Sequence, residues 1–208
     1  MLPFSTLLPV PSADADDAGA ALARKHGCTV CHDPSGQNHR PQAPFIAGQK
    51  EEYLIKQMES FQRAEPQIDS PYKIFERNHP VMNARTKTLN KREMTLIAEY
   101  FSRRKCLSQI PPSGNTVALP EKGKRCVFCH GTTGINPYKL YPNIAGQKET
   151  YLAVQLRALR QSARDGADHA VKDKRFHRIM APVVLDLTDR EIEEIAAYFS
   201  RLPCRGRR

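Results

Sequence analysis

The stretch RCVFCHGTTG, residues 125–134, contains a Cys-x-x-Cys pair with a histidine directly after the second cysteine. Almost the same arrangement, GCTVCHDPSG, occupies residues 27–36. Four of the six cysteines in the chain therefore lie in two copies of one Cys-x-x-Cys-His unit. Two copies of such a specific unit indicate two sites with the same chemistry.

The two units belong to a longer repeat, because Cys126 follows Cys28 by 98 residues and the same offset aligns the rest of both halves. The segment IAGQKE recurs at 46–51 and 144–149, and YFSR recurs at 100–103 and 198–201. A single offset means that no insertion or deletion separates the copies. The pattern indicates the duplication of a unit large enough to be a domain.

The repeat predicts domains at residues 19–108 and 118–208, joined by a linker at 109–117 where proline, serine and glycine accumulate. Residues 1–18 contain a short apolar run and an Ala-x-Ala, as a secretory signal does, but lack its basic start. We interpret them as a signal remnant or a disordered tail. No apolar run is long enough to predict a membrane-spanning helix.

Both halves have helical periodicity and no sustained strand alternation, so the predicted fold class is all-α. The last predicted helix of the second half begins with a capping box of Thr188 and Glu191, followed by apolar residues at helical spacing. The first half repeats this pattern from Asn90 and Glu93. With no Trp and 7% aromatic residues, each small bundle needs other apolar material in its centre. A bound apolar cofactor would supply it.

Cys-x-x-Cys-His is the attachment signal of a c-type haem. The two cysteines of a helical turn can form thioethers with the porphyrin, and the following histidine can reach the iron. The predicted cofactors are two covalently bound haem c groups. The predicted anchors are Cys28, Cys31, Cys126 and Cys129, and the predicted proximal ligands are His32 and His130.

Two rival interpretations of the cysteines are weaker. A thioredoxin-like dithiol needs a βαβ context, which the sequence does not show. A four-cysteine zinc site would have to be built across two separate domains, which two independent motifs in register do not favour.

The sixth ligand of each iron should occur in both copies. Met82 and Met180 satisfy this condition and are predicted to lie in non-periodic loops before the last helix of each half. His79 and His177, three residues earlier, satisfy it too. We favour methionine, because this is the only pair among the five methionines that the repeat matches, and no amphipathic stripe requires either residue. Met/His coordination raises the reduction potential compared with two histidines, and it closes the iron to substrates.

With these residues in place, the chain resembles the di-haem cytochrome c4 family over about residues 19–204. The resemblance rests on the paired CTVCH and CVFCH, the paired P-x-IAGQK-x-x-YL-x-x-Q stretches, and the paired methionines followed by a helix ending in YFSR. It implies two tandem cytochrome c-type haem domains related by pseudo-two-fold symmetry. It also implies that Pro44 and Pro142 accept hydrogen bonds from the proximal histidines. The same resemblance lets Arg77 and Arg175 pair with haem propionates, although a plain surface role fits these arginines equally well.

Cys106 and Cys204 depart from the family pattern. Three interpretations stay open at this point: an inter-domain disulfide, which we favour, bridges to another chain, or a thiolate ligand of a haem iron.

The resemblance implies the predicted function, which is a periplasmic electron carrier between a respiratory or sulfur-oxidising donor and an acceptor such as a terminal oxidase. The alternative is the electron-accepting or catalytic subunit of a thiosulfate dehydrogenase-type enzyme, and a di-haem peroxidase is a second enzymatic alternative. The net charge of +10 predicts an acidic protein partner or an anionic membrane face. Nucleic acid is disfavoured, because the basic residues form no platform interleaved with aromatic residues.

Overall fold

The computed structural model describes residues 12–63, 75–107, 117–165 and 175–204. The predicted linker at 109–117 lies outside these ranges except for its last residue. The first half contains helices α1 (Ser12–Lys25), α2 (Cys28–His32), α3 (Glu51–Gln62), α4 (Pro80–Thr86) and α5 (Lys91–Arg103), with strand β1 (Phe75–Arg77) between α3 and α4. The second half contains a 3₁₀ turn (Glu121–Gly123), helices α6 (Lys124–His130), α7 (Glu149–Asp165), α8 (Met180–Val184) and α9 (Asp189–Ser200), and strand β2 (Arg175–His177) between α7 and α8.

Each half has its own apolar core. In the first, Met58 of α3 packs with Ile97 and Phe101 of α5, and helix α1 closes the cluster with Ala23. The corresponding cluster of the second half contains only residues of that half: Cys126, Ala153, Leu159, Val184, Leu187, Ile192, Ile195, Ala196 and Phe199. Two separate cores confirm the predicted arrangement of two tandem helical domains.

The last helix of each half begins as the sequence predicts. The Asn90 side chain accepts from the Glu93 backbone N–H, and the Glu93 carboxylate accepts from the Asn90 backbone N–H. Thr188 and Glu191 make the same reciprocal pair at the start of α9. A capping box satisfies backbone donors that the first helical turn leaves free, and so fixes where each helix begins.

The two halves differ at their N-terminal ends. Helix α1 begins at Ser12, before the predicted boundary at residue 19. Its Asp16 forms an ion pair with Arg104, with 2.5 Å between the carboxylate Oδ1 and the guanidinium Nη2. In the described part of the second half, only the single 3₁₀ turn precedes α6. No helix in the described ranges is long and apolar enough to cross a bilayer.

A short antiparallel pairing of β1 with β2 joins the two halves. Arg77 lies opposite Arg175, and these residues occupy equivalent positions in the repeat. Equivalent residues that face one another lie beside a local two-fold axis. Sequence periodicity did not predict these strands, because three residues are too few to show alternation and their partner is distant in the chain.

Candidate haem sites

Both Cys-x-x-Cys-His units fold as helices. In the first, Gly27 adopts a left-handed conformation (φ 70°), which turns the chain between α1 and α2. Cys28, Cys31 and His32 then lie within one short helix, where residues three and four apart share a face. Helix α6 places the second set in the same way, at Cys126, Cys129 and His130.

The two motif histidines are buried and hydrogen-bonded alike. The Nδ1–H of His32 donates to the Pro44 carbonyl at 3.2 Å, and that of His130 donates to the Pro142 carbonyl at 3.3 Å. Burial lowers the pKa of His32 to about 4 and lowers the pKa of His130 as well. Both imidazoles are therefore neutral at neutral pH, and the proton on Nδ1 leaves Nε2 free to bind a metal.

A cavity of about 580 Å³ lies beside the motif of the first half. Its walls include Cys28, Cys31 and His32, as well as Met82. A cavity of this volume lies in the range typical of cofactor sites. A covalently attached haem requires two cysteines, a neutral histidine and a further iron ligand such as the sulfur of Met82. The residues that line the cavity therefore fit this cofactor.

The structure places both predicted methionine ligands in short helices rather than in the expected loops. Met82 lies in the first turn of α4, and Met180 is the first residue of α8. The expectation of loops was wrong, because helices of five to seven residues are too short to show a periodic pattern. His79 and His177 accept from the backbone N–H of these methionines at 3.5 and 3.4 Å. The Nδ1 atoms of both histidines are thus used as hydrogen-bond acceptors for the backbone.

The cysteines of the motifs do not have the properties of a reactive dithiol. Burial raises the pKa of the Cys28 thiol to about 11 and also raises the pKa of Cys126. Reactive Cys-x-x-Cys pairs have the opposite shift. In the described ranges, no three side chains of the metal-binding types gather into one cluster.

Two arginines from different domains share a polar cluster at the interface. Arg77 donates to the Tyr151 hydroxyl at 2.6 Å, and Arg175 donates to the Tyr53 hydroxyl at 3.4 Å. Each guanidinium also binds the glutamine of its own domain, Gln57 or Gln155. Among the described residues, neither arginine forms an ion pair with a carboxylate. Arg77 and Arg175 also border the cavity.

The interface contains two glutamines and two lysines for which the sequence predicted no role. Gln49, Lys50, Gln147 and Lys148 all bond to the opposite domain. The available signal was the identity of IAGQKE in both halves, which a shared core contact would explain equally well. Only the relative placement of the domains distinguishes these explanations.

Cys106 and Cys204 form a disulfide between the two halves, with their Cα atoms 5.9 Å apart. This pairing uses both sulfur atoms, so neither is available as an iron ligand or for a bridge to another chain. Gly146 lies so close that an added Cβ would be 2.8 Å from the Cβ of Cys204. The absence of a side chain at Gly146 makes room for the bridge.

The fold and the motifs define a protein with two c-type haem domains in tandem. The family model for cytochrome c matches residues 17–104 and 121–203, which is most of the chain. The chain therefore belongs to the cytochrome c family, and it carries two covalently bound haem c groups.

Several relatives match both halves. Cytochrome c4 of Azotobacter vinelandii is 28% identical over 204 residues, which cover 90% of each chain. The thiosulfate dehydrogenase electron acceptor of Thiomonas intermedia is 26% identical and covers 88% of this chain and 82% of its own length. The crystal structure of reduced cytochrome c4 from Pseudomonas stutzeri has a TM-score of 0.67 and 25% identity, and the match covers 90% of this chain and 98% of that one.

Proposed function

We propose that the protein is a di-haem electron carrier of the cytochrome c4 type. Its haem anchors would be Cys28 and Cys31 in the first domain and Cys126 and Cys129 in the second. The axial ligands would be His32 with Met82, and His130 with Met180. The observation that carries the proposal is that each half holds a buried neutral histidine next to two motif cysteines, with Nδ1–H bound to a proline carbonyl.

Bound haem supplies reversible one-electron chemistry, and the side chains decide how it is used. His32 with Met82, and His130 with Met180, would hold the iron of each haem and would leave it no position for a substrate. The Pro44 and Pro142 carbonyls hold each imidazole in one orientation, so little has to move when an electron arrives. Both histidines are buried, which would keep water away from their bonds to the iron. These properties suit transfer of electrons rather than catalysis on a bound substrate.

Arg77 and Arg175 would pair with the carboxylates of the haem groups. Two guanidinium groups facing each other repel, and their observed partners are neutral hydroxyl and amide groups. Anions supplied from the cavity side would offset this repulsion. Since both arginines lie at the interface, they would bind the propionates of the two haems from one shared polar cluster.

Charge and covalent chemistry support a periplasmic setting. A stable disulfide between Cys106 and Cys204 suits an oxidising compartment, which favours the periplasm. The net charge of +10, reduced by four ionised haem propionates, favours an acidic redox partner or an anionic membrane face. A terminal oxidase would then be one acceptor of suitable kind.

A second candidate function is the acceptance of electrons from a sulfur-oxidising enzyme. It is favoured by the relative from Thiomonas intermedia, whose name is thiosulfate dehydrogenase electron acceptor. Accepting electrons from such an enzyme needs the same two centres. A catalytic role would need an iron with an open position or a free thiolate, and the disulfide removes the thiolate of Cys106 and Cys204.

The carrier is tested on the exported protein. Its mass should exceed that of the polypeptide by two haem groups, and the oxidised spectrum should contain the sulfur-to-iron charge-transfer band at an intensity expected for two centres. Cyanide should bind slowly and incompletely at neutral pH. A mass lacking either haem, rapid cyanide binding at one iron, or turnover of thiosulfate by the protein alone would overturn the proposal.

The partner is tested by the rate of electron transfer. We expect the second-order rate constant with an acidic redox protein to fall as ionic strength rises, because salt screens the attraction. A basic redox protein of similar potential is the control, and its rate should rise with salt. Equal salt dependence for both proteins would contradict electrostatic docking.

A further inference from the structure

Two glutamines bond to the backbone of the opposite domain in the same way. The Gln147 side chain donates from Nε2 to the Phe45 carbonyl at 2.8 Å and accepts at Oε1 from the Phe45 N–H at 2.9 Å. Gln49 makes the equivalent pair with Asn143, at 2.9 Å for both bonds. Both glutamines are buried. Each amide thus fixes one residue of the other domain through both of its backbone polar groups.

The lysine after each glutamine bonds to the same loop. Lys148 Nζ donates to the Asn38 side chain and to the carbonyls of Arg40 and Ala43, at 2.8, 2.6 and 2.7 Å. Lys50 donates to three carbonyls of the second domain, those of Asn136, Tyr138 and Tyr141, at 2.5, 2.7 and 2.6 Å. Three acceptors use all three donors of an ammonium group, so each lysine is fully engaged in the opposite domain.

These bonds surround one functional atom in each domain. Pro44 lies between Ala43, held by Lys148, and Phe45, held by Gln147. The Pro44 carbonyl accepts from the ring N–H of His32. In the second domain Pro142 has the same situation: Lys50 binds the residue before it and Gln49 binds the residue after it. Asn38 of the same domain also donates from Nδ2 to the Pro44 carbonyl at 3.2 Å, and Lys148 of the other domain donates to the Oδ1 of this asparagine. The residues on both sides of each proline are therefore held by side chains of the other domain.

We propose that the pairs Gln147–Lys148 and Gln49–Lys50 are positioning residues that act across the interface on the proximal histidine of the opposite domain. Gln147 and Lys148 hold Pro44 for His32, and Gln49 and Lys50 hold Pro142 for His130. This inference rests on the proposed haem ligands. It follows that neither domain sets the potential of its iron alone.

The physical link is the basicity of the imidazole. A carbonyl that accepts firmly from Nδ1–H makes the histidine a stronger electron donor to iron, which favours the oxidised state. When the carbonyl is free to move, the hydrogen bond weakens and the reduced state of the iron becomes more stable relative to the oxidised state. Loss of Gln147 should therefore raise the potential of the haem in the first domain, although Gln147 belongs to the second.

The decisive variant is Gln147→Met in the holoprotein, with Gln49→Met as its mirror image. In Gln147→Met, NMR should show exchange of the His32 ring N–H faster by about tenfold, while the His130 ring N–H is unchanged. A redox titration in which NMR assigns each haem should show a raised potential at the first haem only. In Gln49→Met, the His130 ring N–H should exchange faster and the potential of the second haem should rise, while the first haem is unchanged.

The control is the double variant Cys106→Ser, Cys204→Ser, which loosens the interface evenly because the bridge joins equivalent positions. Any change there should affect both haems alike. Should Gln147→Met not assemble, Lys148→Met serves for the ring N–H measurement, with the same acceleration expected at His32. Changes confined to the haem of the mutated domain, equal changes in both haems, or no change would overturn the inference. A variant with two haems and the charge-transfer band but no asymmetric change refutes this inference alone, whereas a wild type without them refutes the proposed function.

Discussion

Cys106 and Cys204 occupy equivalent positions in the two halves, and a disulfide joins them. A bond between equivalent residues lies on the two-fold axis that relates the halves. The pairing of Arg77 with Arg175 marks the same kind of point elsewhere on the interface. The covalent bridge and the strand pair together hold the two domains in one relative orientation.

The first prediction concerns this bridge. Replacing both cysteines by serine should lower the free energy of unfolding by about 2–4 kcal/mol, because the disulfide closes a long loop that restricts the unfolded chain. The separation of 98 residues places it among long loops. Guanidinium unfolding of the holoprotein measures the loss. A reductant should destabilise the wild type and leave the variant unchanged, and equal stability of both proteins would contradict the prediction.

The second prediction concerns the residue after each motif histidine. Gly131 has φ 78° and ψ 157°, and a Cβ added there would lie 2.6 Å from the Ile135 carbonyl oxygen. We expect Gly131→Ala to destabilise the second domain by about 1–3 kcal/mol through backbone strain. The thermal midpoint of the holoprotein reports this loss.

Asp33 provides the matched control, since it occupies the equivalent position with φ 64° and ψ 152°. Asp33→Gly should relieve strain and raise the midpoint, although it gives up a bond to the Ser35 N–H. The net gain should be about 1 kcal/mol. Changes of the same sign in both variants would show that backbone strain does not control stability here.

The third prediction concerns the proposed methionine ligands. Replacing Met82 by histidine should lower the reduction potential of the first haem, because Met/His ligation has a higher potential than two histidines. The intensity of the sulfur-to-iron charge-transfer band should fall to half of the wild-type value. Met180→His should produce the same change at the second haem, and Val81→His, one residue from Met82, is the control. An undiminished band in Met82→His would show that another side chain binds the iron.

The fourth prediction concerns acid stability. The Asn90 backbone N–H lowers the pKa of Glu93, and the Thr188 backbone N–H lowers that of Glu191. A folded-state pKa below the unfolded value means that each carboxylate stabilises the fold above the ordinary pKa of 4.5. This contribution disappears as the pH falls through the lower folded-state pKa. The double variant Glu93→Gln, Glu191→Gln keeps a capping side chain without the charge, so its unfolding free energy should depend less on pH in this range.

The control for acid stability is Glu194→Gln, which removes a partly exposed carboxylate that pairs with Arg190 in α9 and takes no part in either capping box. Its pH profile should stay close to that of the wild type. Urea unfolding at a series of pH values measures all three proteins. A double variant as acid-sensitive as the wild type would show that the two capping boxes do not contribute to acid stability.

Much of the fold could be predicted because its signals are local. The capping boxes at Asn90 and Thr188 depend on residues three apart, and the structure confirms both. The helical Cys-x-x-Cys-His units also depend on one turn of chain. The short helices around Met82 and Met180 were missed, because so few residues carry no periodicity. These helices pack against α3 and α7, which are distant in the sequence.

By itself, the sequence determined that this protein is a duplicated pair of c-type haem domains, since the Cys-x-x-Cys-His attachment motif occupies five consecutive residues in each copy. Only the tertiary structure decided which surfaces of the two domains meet. A repeat shows which residues are equivalent, but the partner of an interface residue depends on how two folded bodies pack. That packing places Gln147 on Phe45 and Arg77 opposite Arg175, contacts between residues about a hundred positions apart that no local pattern encodes.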